Sequence, residues 1–436
     1  MLRDHLHVPR KVTSIGRALR YRNYRLFFCG QILSLIGSWI TTVATSWLVY
    51  KLCRQSMPGQ EAYYLGLVGF AGQIPVFLLA PFAGVWLDRV NRHRVLVITQ
   101  FLAMVQSFAL AYLALKQIIT IPQIFALQAF QGVINAVDMP ARQSFVVEMV
   151  EDRKDLGNAI ALNSSMVHTA RLLGPSVAGF LIFTVGEGFC FLIDALSYVA
   201  VLIALLCIRV KPRTIAPHGS ALHELKEGLN YAYRSPVIRA LLVLVAVVSL
   251  MFTSQSVLMP LIAAEVLRGN ERTLGFLLGA SGLGALTASL YLASRENILG
   301  LLSRVVLKAS ISLGFALCVL CFSRSYTLSL ITLLVAGAST VLVMASTNTV
   351  LQTIVDEDKR GRVMSFFSLA FMGMAPFGSL LSGWLASHLG ASNTFGVCGT
   401  VCLVTALVFG RRLPKLREHI RPIYQRKGIL PMPEVD

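Results

Sequence analysis

Charge is what this chain has least of. Asp, Glu, Lys and Arg make up 14% of its 436 residues, where a soluble globular protein carries roughly 25%. With 55% hydrophobic residues and a mean hydropathy of +0.68, the chain has more apolar surface than one soluble core can hide. Several chemistries are also missing. There is no G-x-x-x-x-G-K-[ST] phosphate loop, which argues against ATP bound in that way. There is no H-E-x-x-H pair, and no Ser, His and Asp set that the sequence brings together. No stretch of soluble composition is long enough for a separate catalytic domain, so an enzyme is not expected. The eight cysteines are scattered and imply no disulfide framework. Cys318 and Cys321 have C-x-x-C spacing but lie in an apolar helix, where they read as packing residues. No metal and no cofactor is expected.

What is there is a series of twelve long apolar stretches, at about 26–50, 64–87, 95–115, 121–140, 159–185, 188–208, 238–262, 273–294, 302–323, 326–348, 362–387 and 392–410. Each is near the roughly 20 residues a helix needs to cross a bilayer. They are continuously apolar rather than alternating, which selects helices over barrel strands. The expected fold class is therefore an all-α membrane protein of twelve transmembrane helices.

The net charge of +18 raises nucleic acid as a partner, but its distribution argues against that reading. Placing both termini on one side gathers 32 of the 39 basic residues there, and the positive-inside rule makes that side cytoplasmic. Seven of them, from Arg3 to Arg25, precede the first span. That span is too long for a leader's apolar core and has no cleavage-like site, so a secretory signal peptide is not expected.

The longest interior connection, 209–237, carries Arg209, Lys211, Arg213, Pro212 and Pro217 and an amphipathic piece from His223 to Tyr233. It separates six spans from six. The expected organisation is a basic tail (1–25), a first six-helix half (26–208), a linker (209–237), a second half (238–410) and a basic tail (411–436). An internal repeat supports the division. Gly157, Gly174 and Gly179 recur at a constant offset as Gly361, Gly378 and Gly383, each set after a charged run (Glu151–Asp155 and Asp356–Arg360) and each in the fifth span of its half. Parallel repeats of this kind build secondary transporters, with the substrate path between the halves.

Two segments carry a family resemblance. Gly84, Asp88, Arg89, Arg92 and Arg94, between the second and third spans, resemble the G-x-x-x-D-R-x-G-R-[RK] signature of the major facilitator superfamily, with Asn91 in place of the second glycine. A small residue at 84 would let two helices approach closely. The resemblance implies that Asp88 joins a cytoplasmic charge network, with Arg142 as its candidate partner. The matching loop of the second half, Tyr291–Arg304, has no such aspartate, so the latch would be asymmetric. Gly174 and Pro175, followed by Gly179, are similar to the family's antiporter signature, usually associated with exporters. Tyr21–Arg25, Trp47–Tyr50, Pro140–Gln143, Asn158–Asn163 and Asp194–Tyr198 look like the branch containing the enterobactin exporter and the transmembrane secretion effectors. The resemblance implies a major facilitator fold, a monomer, and the cytoplasmic (inner) membrane of a bacterium with both termini cytoplasmic.

Polar groups inside the spans are costly and therefore informative. Gln128, Gln131, Asn135 and Asp138 share one face of the fourth span, and Gln31, Ser34, Ser38, Thr41 and Thr45 share one face of the first. Cavity lining and helix–helix hydrogen bonding both account for such stripes. Arg171 lies mid-span, with Asp138 or Asp194 as expected partners. It reads either as a substrate or anion charge or as part of a structural ion pair. His168, one turn earlier, has the chemistry for coupling or for packing. Met251, Phe252, Phe366, Phe367, Phe371, Met372 and Met374 line an apolar cavity, pack, or face lipid. The combined expectation is a proton-driven secondary exporter of a siderophore or another amphipathic small molecule. Its partners are that substrate, protons and membrane lipids. The alternative is a lysophospholipid flippase of the same fold.

Overall fold

The computed structural model describes residues 16–87, 89–208, 231, 233–294 and 300–426; among them there are helices and no strand. The first half holds α1 (Arg22–Ser56), α2 (Glu61–Leu87), α3 (Arg92–Leu115), α4 (Ile121–Met149), α5 (Arg153–Val185) and α6 (Glu187–Cys207). The second holds α7 (Pro236–Leu261, continued by a π-helical turn, Ile262–Val266), α8 (Glu271–Ala293), α9 (Leu307–Phe322, after a π-helical start at Leu301–Val306), α10 (Tyr326–Ile354), α11 (Glu357–Met372), α12 (Ala375–Leu389) and α13 (Ala391–Arg426). Residues 209–230, most of the expected linker with its amphipathic piece, lie outside the described residues, as does Asp88.

Lipid offers no partner for a backbone N–H or C=O, so each crossing satisfies its own as a helix. Ten helices are long and apolar enough to cross a membrane, and Leu307–Phe322 is a shorter apolar one. The remaining crossing, α4, is 29 residues long; its glutamines, Asn135 and Asp138 dilute its apolar character. α11 and α12 make up the eleventh crossing, interrupted at Gly373 and Met374, with Pro376 in the first turn of α12. α5 runs unbroken through Pro175. Asn91, the residue that departs from the family signature, caps α3 by accepting from the Arg94 backbone N–H at 3.1 Å.

The glycine repeat extends further than the three pairs. Gly186 (φ +84°) turns the chain from α5 into α6, and Gly390 (φ +83°) turns it from α12 into α13, at the same sequence offset. Both take a left-handed conformation in which a side chain is strained.

The halves meet along two matching seams. α5 packs along α8, and α2 along α12. Backbones touch there. A Cβ built on Gly179 would stand 2.7 Å from Gly275 Cα, and one on Gly383 2.8 Å from Gly66 Cα. Small residues permit such an approach, and dispersion holds it. Both seams lie toward the face of the bundle opposite the chain ends, here the distal face. Arg54 of α1 adds ion pairs there to Glu61 (3.5 Å) and, across the halves, to Glu265 (3.4 Å). The indole of Trp47 donates to Glu271 of α8 at 3.1 Å. At the face carrying the chain ends the fit is looser. A Cβ on Gly84, Gly157 or Gly361 meets nothing within 4 Å. This corrects the expectation for Gly84: among the described residues, nothing stands close enough to its Cβ position to require a glycine.

The first described segment is tied to the bundle. A short 3₁₀ helix, Arg17–Arg20, folds onto the start of α5. Arg20 pairs with Asp155 at 2.6 Å, the Ala18 N–H donates to Asn158 Oδ1 at 2.9 Å, and the Tyr24 hydroxyl donates to the Ala159 carbonyl at 2.8 Å. α13 continues as helix to Arg426.

Candidate functional site: a cavity between the halves

A cavity of about 390 Å³ lies between the halves, walled by α1, α2, α4 and α5 on one side and by α7, α8, α10, α11 and α12 on the other. The two glycine seams lie on its distal side. Of the residues singled out from sequence, Asn135, Arg171 and Pro175 line it, as do Phe252, Phe371 and Met372. Met251 and Phe367 are instead buried in the packed core. Phe366 and Met374 are not among the lining residues.

Arg171 stands near the middle of α5. Its guanidinium carbon is 5.9 Å from the centroid of the Trp39 ring on α1, within reach of a cation–π contact. Among the described residues it has no ion pair and no side-chain hydrogen bond. The expected pairing with Asp138 or Asp194 is thus corrected. Both carboxylates are claimed by nearer donors. Asp138 is buried between α3 and α4, accepts from Thr99 Oγ1 and Gln100 Nε2 at 2.8 Å each, and is ion-paired to Arg142 one turn along its own helix. Asp194, on α6, accepts from Thr41 Oγ1 and Ser107 Oγ at 2.8 Å each, through Oδ2. Its Oδ1 is buried with no hydrogen-bond partner.

The fourth-span stripe therefore divides. Gln128 donates to Thr45 of α1 at 3.4 Å, and Asp138 serves α3, so these two tie helices together. Gln131 donates to Asn135 at 3.2 Å, and Asn135 reaches the cavity. The first-span stripe is turned away from the cavity. Gln31 and Ser34 are buried, Ser38 contacts the Tyr198 hydroxyl at 3.2 Å, and Thr41 holds Asp194. The cavity face of α1 is the adjacent one, with Trp39, Thr42 and Ser46.

Arg142 makes its ion pair with Asp138 and leaves a buried Nε without a partner. Arg92 pairs with Glu148 at 3.0 Å, joining α3 to α4, and Arg89 is exposed. Asp88 and the side chain of His168 lie outside the described residues. Gly174 packs against the Trp39 side chain, which sets that ring beside Arg171. Sequence reasoning missed Trp39, Gln73, Thr253, Gln255, Ser281 and Thr340 on the cavity wall. Single polar residues in apolar helices carry no signal of direction; only the packing shows which way they face.

The sequence profile of the transmembrane secretion effectors matches residues 14–434. The staphyloferrin A transporter of Staphylococcus aureus (strain NCTC 8325 / PS 47) is 25% identical, over 90% of this chain and 97% of its own length. The multidrug efflux pump Tap of Mycolicibacterium fortuitum is 26% identical, over 88% of this chain and 93% of its own. Among solved structures, the peptide transporter POT in complex with alafosfalin superposes with a TM-score of 0.72 at 12% identity, covering 93% of this chain and 98% of that one. The chain belongs to the transmembrane secretion effector family of major facilitator transporters. It has the twelve-helix fold of that superfamily, and it is an efflux transporter of the multi-pass membrane class rather than an enzyme.

Proposed function

We propose that this member of the transmembrane secretion effector family exports a siderophore or a similar amphipathic small molecule, driven by a proton gradient. The observation that carries the reading is the cavity. It is walled by both halves, closed on the distal side by two backbone-to-backbone glycine seams, and holds Arg171 at mid-span. Two halves meeting along equivalent seams suit alternating access, in which a rigid-body tilt closes one face as it opens the other. The distribution of basic residues favours a bacterial inner membrane with both termini in the cytoplasm. The arrangement seen here is then the one that loads substrate from inside. The siderophore assignment draws support from the staphyloferrin A transporter among its relatives.

Asp194 is the coupling residue in this reading. Among the described residues it is a buried carboxyl with no cation beside it and one oxygen without a partner. Protonation removes an unpaired charge from the membrane interior, and release restores it, so the two forms differ in what they demand of α1 and α3. Gln131 and Asn135 orient polar parts of the substrate, and the Asp138–Arg142 pair braces the wall behind them.

The test is transport into energised inside-out vesicles of staphyloferrin A, a lysophospholipid and a cationic dye, each with and without a protonophore. Protonophore-sensitive accumulation of the siderophore is the expected result. Movement confined to lysophospholipid, or indifferent to the gradient, overturns the reading in favour of a flippase.

A further inference from the structure

The electrostatics of the cavity wall are one-sided. Of the residues lining the 390 Å³ space, Arg171 is the sole Lys or Arg among those described, and none is Asp or Glu. A guanidinium in the membrane interior ordinarily faces a carboxylate. Here the two nearest sequence candidates are engaged elsewhere, Asp138 by Arg142, Thr99 and Gln100, and Asp194 by Thr41 and Ser107. The guanidinium carbon lies 5.9 Å from the Trp39 ring centroid, and the ring takes none of its N–H groups. Those donors form a planar fork that matches a carboxylate in bidentate fashion.

A second observation lies on the opposite wall. Gln255 of α7 lines the cavity, is 4% exposed, and has a buried amide oxygen without a partner. A buried acceptor left unmade is unfavourable, and a ligand N–H or O–H in the cavity satisfies it. The rest of the wall mixes hydroxyl and amide residues with apolar and aromatic ones, among them Trp39, Phe252 and Phe371. A volume of this size suits a small organic molecule.

We propose that the cavity selects amphipathic carboxylates: an acidic head against Arg171 of the first half, a hydrogen-bond donor against Gln255 of the second, and an apolar body between. Cationic amphiphiles are disfavoured, because no acidic side chain on the described wall offsets the Arg171 charge. One ligand gripping both halves also ties its occupancy to their relative tilt. The inference rests on the export reading only in taking this cavity as the substrate path.

The test uses three probes with one body and three heads: pyrenebutyrate, pyrenebutyramide and pyrenebutylamine. Binding to the full chain in lipid nanodiscs is read as energy transfer from tryptophan to pyrene, with empty nanodiscs subtracted. The wild type is expected to bind the carboxylate at least about tenfold tighter than the amide, with the amine weakest. Arg171→Gln removes the ranking and Arg171→Lys keeps it. An amine that binds as tightly as the carboxylate, or a ranking that survives in Arg171→Gln, overturns the proposal. Should Arg171→Gln fail to fold, the wild-type ranking and the lysine variant still decide. The same probes in energised vesicles separate the two readings. Carboxylate-selective binding without any movement ends the export reading and leaves this one standing. Movement without preference for the carboxylate does the reverse.

Discussion

Asp138 and Asp194 are both buried carboxylates in the first half, yet their surroundings assign them different work. Asp138 has a cation and two neutral donors, so it is a brace. Removing its charge strands Arg142, whose Nε already lacks a partner. Asp138→Ala is expected to destabilise the protein by about 3 kcal/mol, seen as a lowered Tm in detergent, with the head-group preference of whatever cavity remains unchanged. Among the described residues Asp194 has no cation beside it and one idle oxygen. Asp194→Asn preserves an acceptor for Thr41 and Ser107 while removing the proton, so folding is expected to survive and coupling to fail. Substrate-induced proton release from the purified protein, measured with a pH dye, checks this. Release that persists in Asp194→Asn removes Asp194 from the proton path.

At the scale of elements, the glycines sort by what faces them. Gly179 and Gly383 face the backbone of a helix in the other half, while Gly157 and Gly361, members of the same sequence repeat, face open space. Leucine at 179 has no room that a side-chain rotation provides, because the obstacle is Gly275 Cα and the Glu271 carbonyl. Gly179→Leu and Gly383→Leu are therefore expected to prop the distal seam apart and abolish efflux. Gly157→Leu and Gly361→Leu are expected to stay within about twofold of wild type, since exposed positions away from contacts rarely matter by more than about 0.5 kcal/mol. Vesicle efflux rates of the four variants, normalised to protein amount, test the distinction. Equal loss in all four would show that the repeat matters for some reason other than the seam.

At the scale of the whole molecule, two halves joined tightly at one face and loosely at the other suit the two states that the proposed alternating access requires. The distal ion pairs of Arg54 add little to its bias. The side chain is 59% exposed and its contacts with Glu61 and Glu265 are long, so the pairs are worth under about 1 kcal/mol. Arg54→Ala is expected to shift the balance toward the distal-open state by no more than about fivefold. Spin labels at Ile160 on α5 and Leu369 on α11, both exposed and both toward the face carrying the termini, report the change as a shorter distance population that grows in the variant. A single unchanged distance distribution in wild type, variant and substrate-saturated protein would count against alternating access in this form.

Much of the fold is legible in the amino-acid sequence, because the bilayer leaves the backbone few choices. Runs of about 20 apolar residues, the placement of Lys and Arg, and the glycine offset point to twelve helices in two related halves. The site is legible only in part. Arg171, Asn135 and Pro175 stand out because polar groups and proline are conspicuous in an apolar helix, and all three face the cavity. The conspicuous stripe on α1 misleads, since a row of polar residues serves helix packing as well as it serves water. Charge alone puts Asp138 and Asp194 near Arg171. Distance decides otherwise, giving one to Arg142 and the other to hydroxyls. The sequence by itself determined the solvent of this protein, the number of its membrane crossings and its internal symmetry, since those follow from composition and spacing along one dimension. The tertiary structure decided which polar groups satisfy each other and which are left facing the cavity. Hydrogen bonds and ion pairs reach only a few ångströms, and which groups come that close is settled when helices distant in the chain pack together.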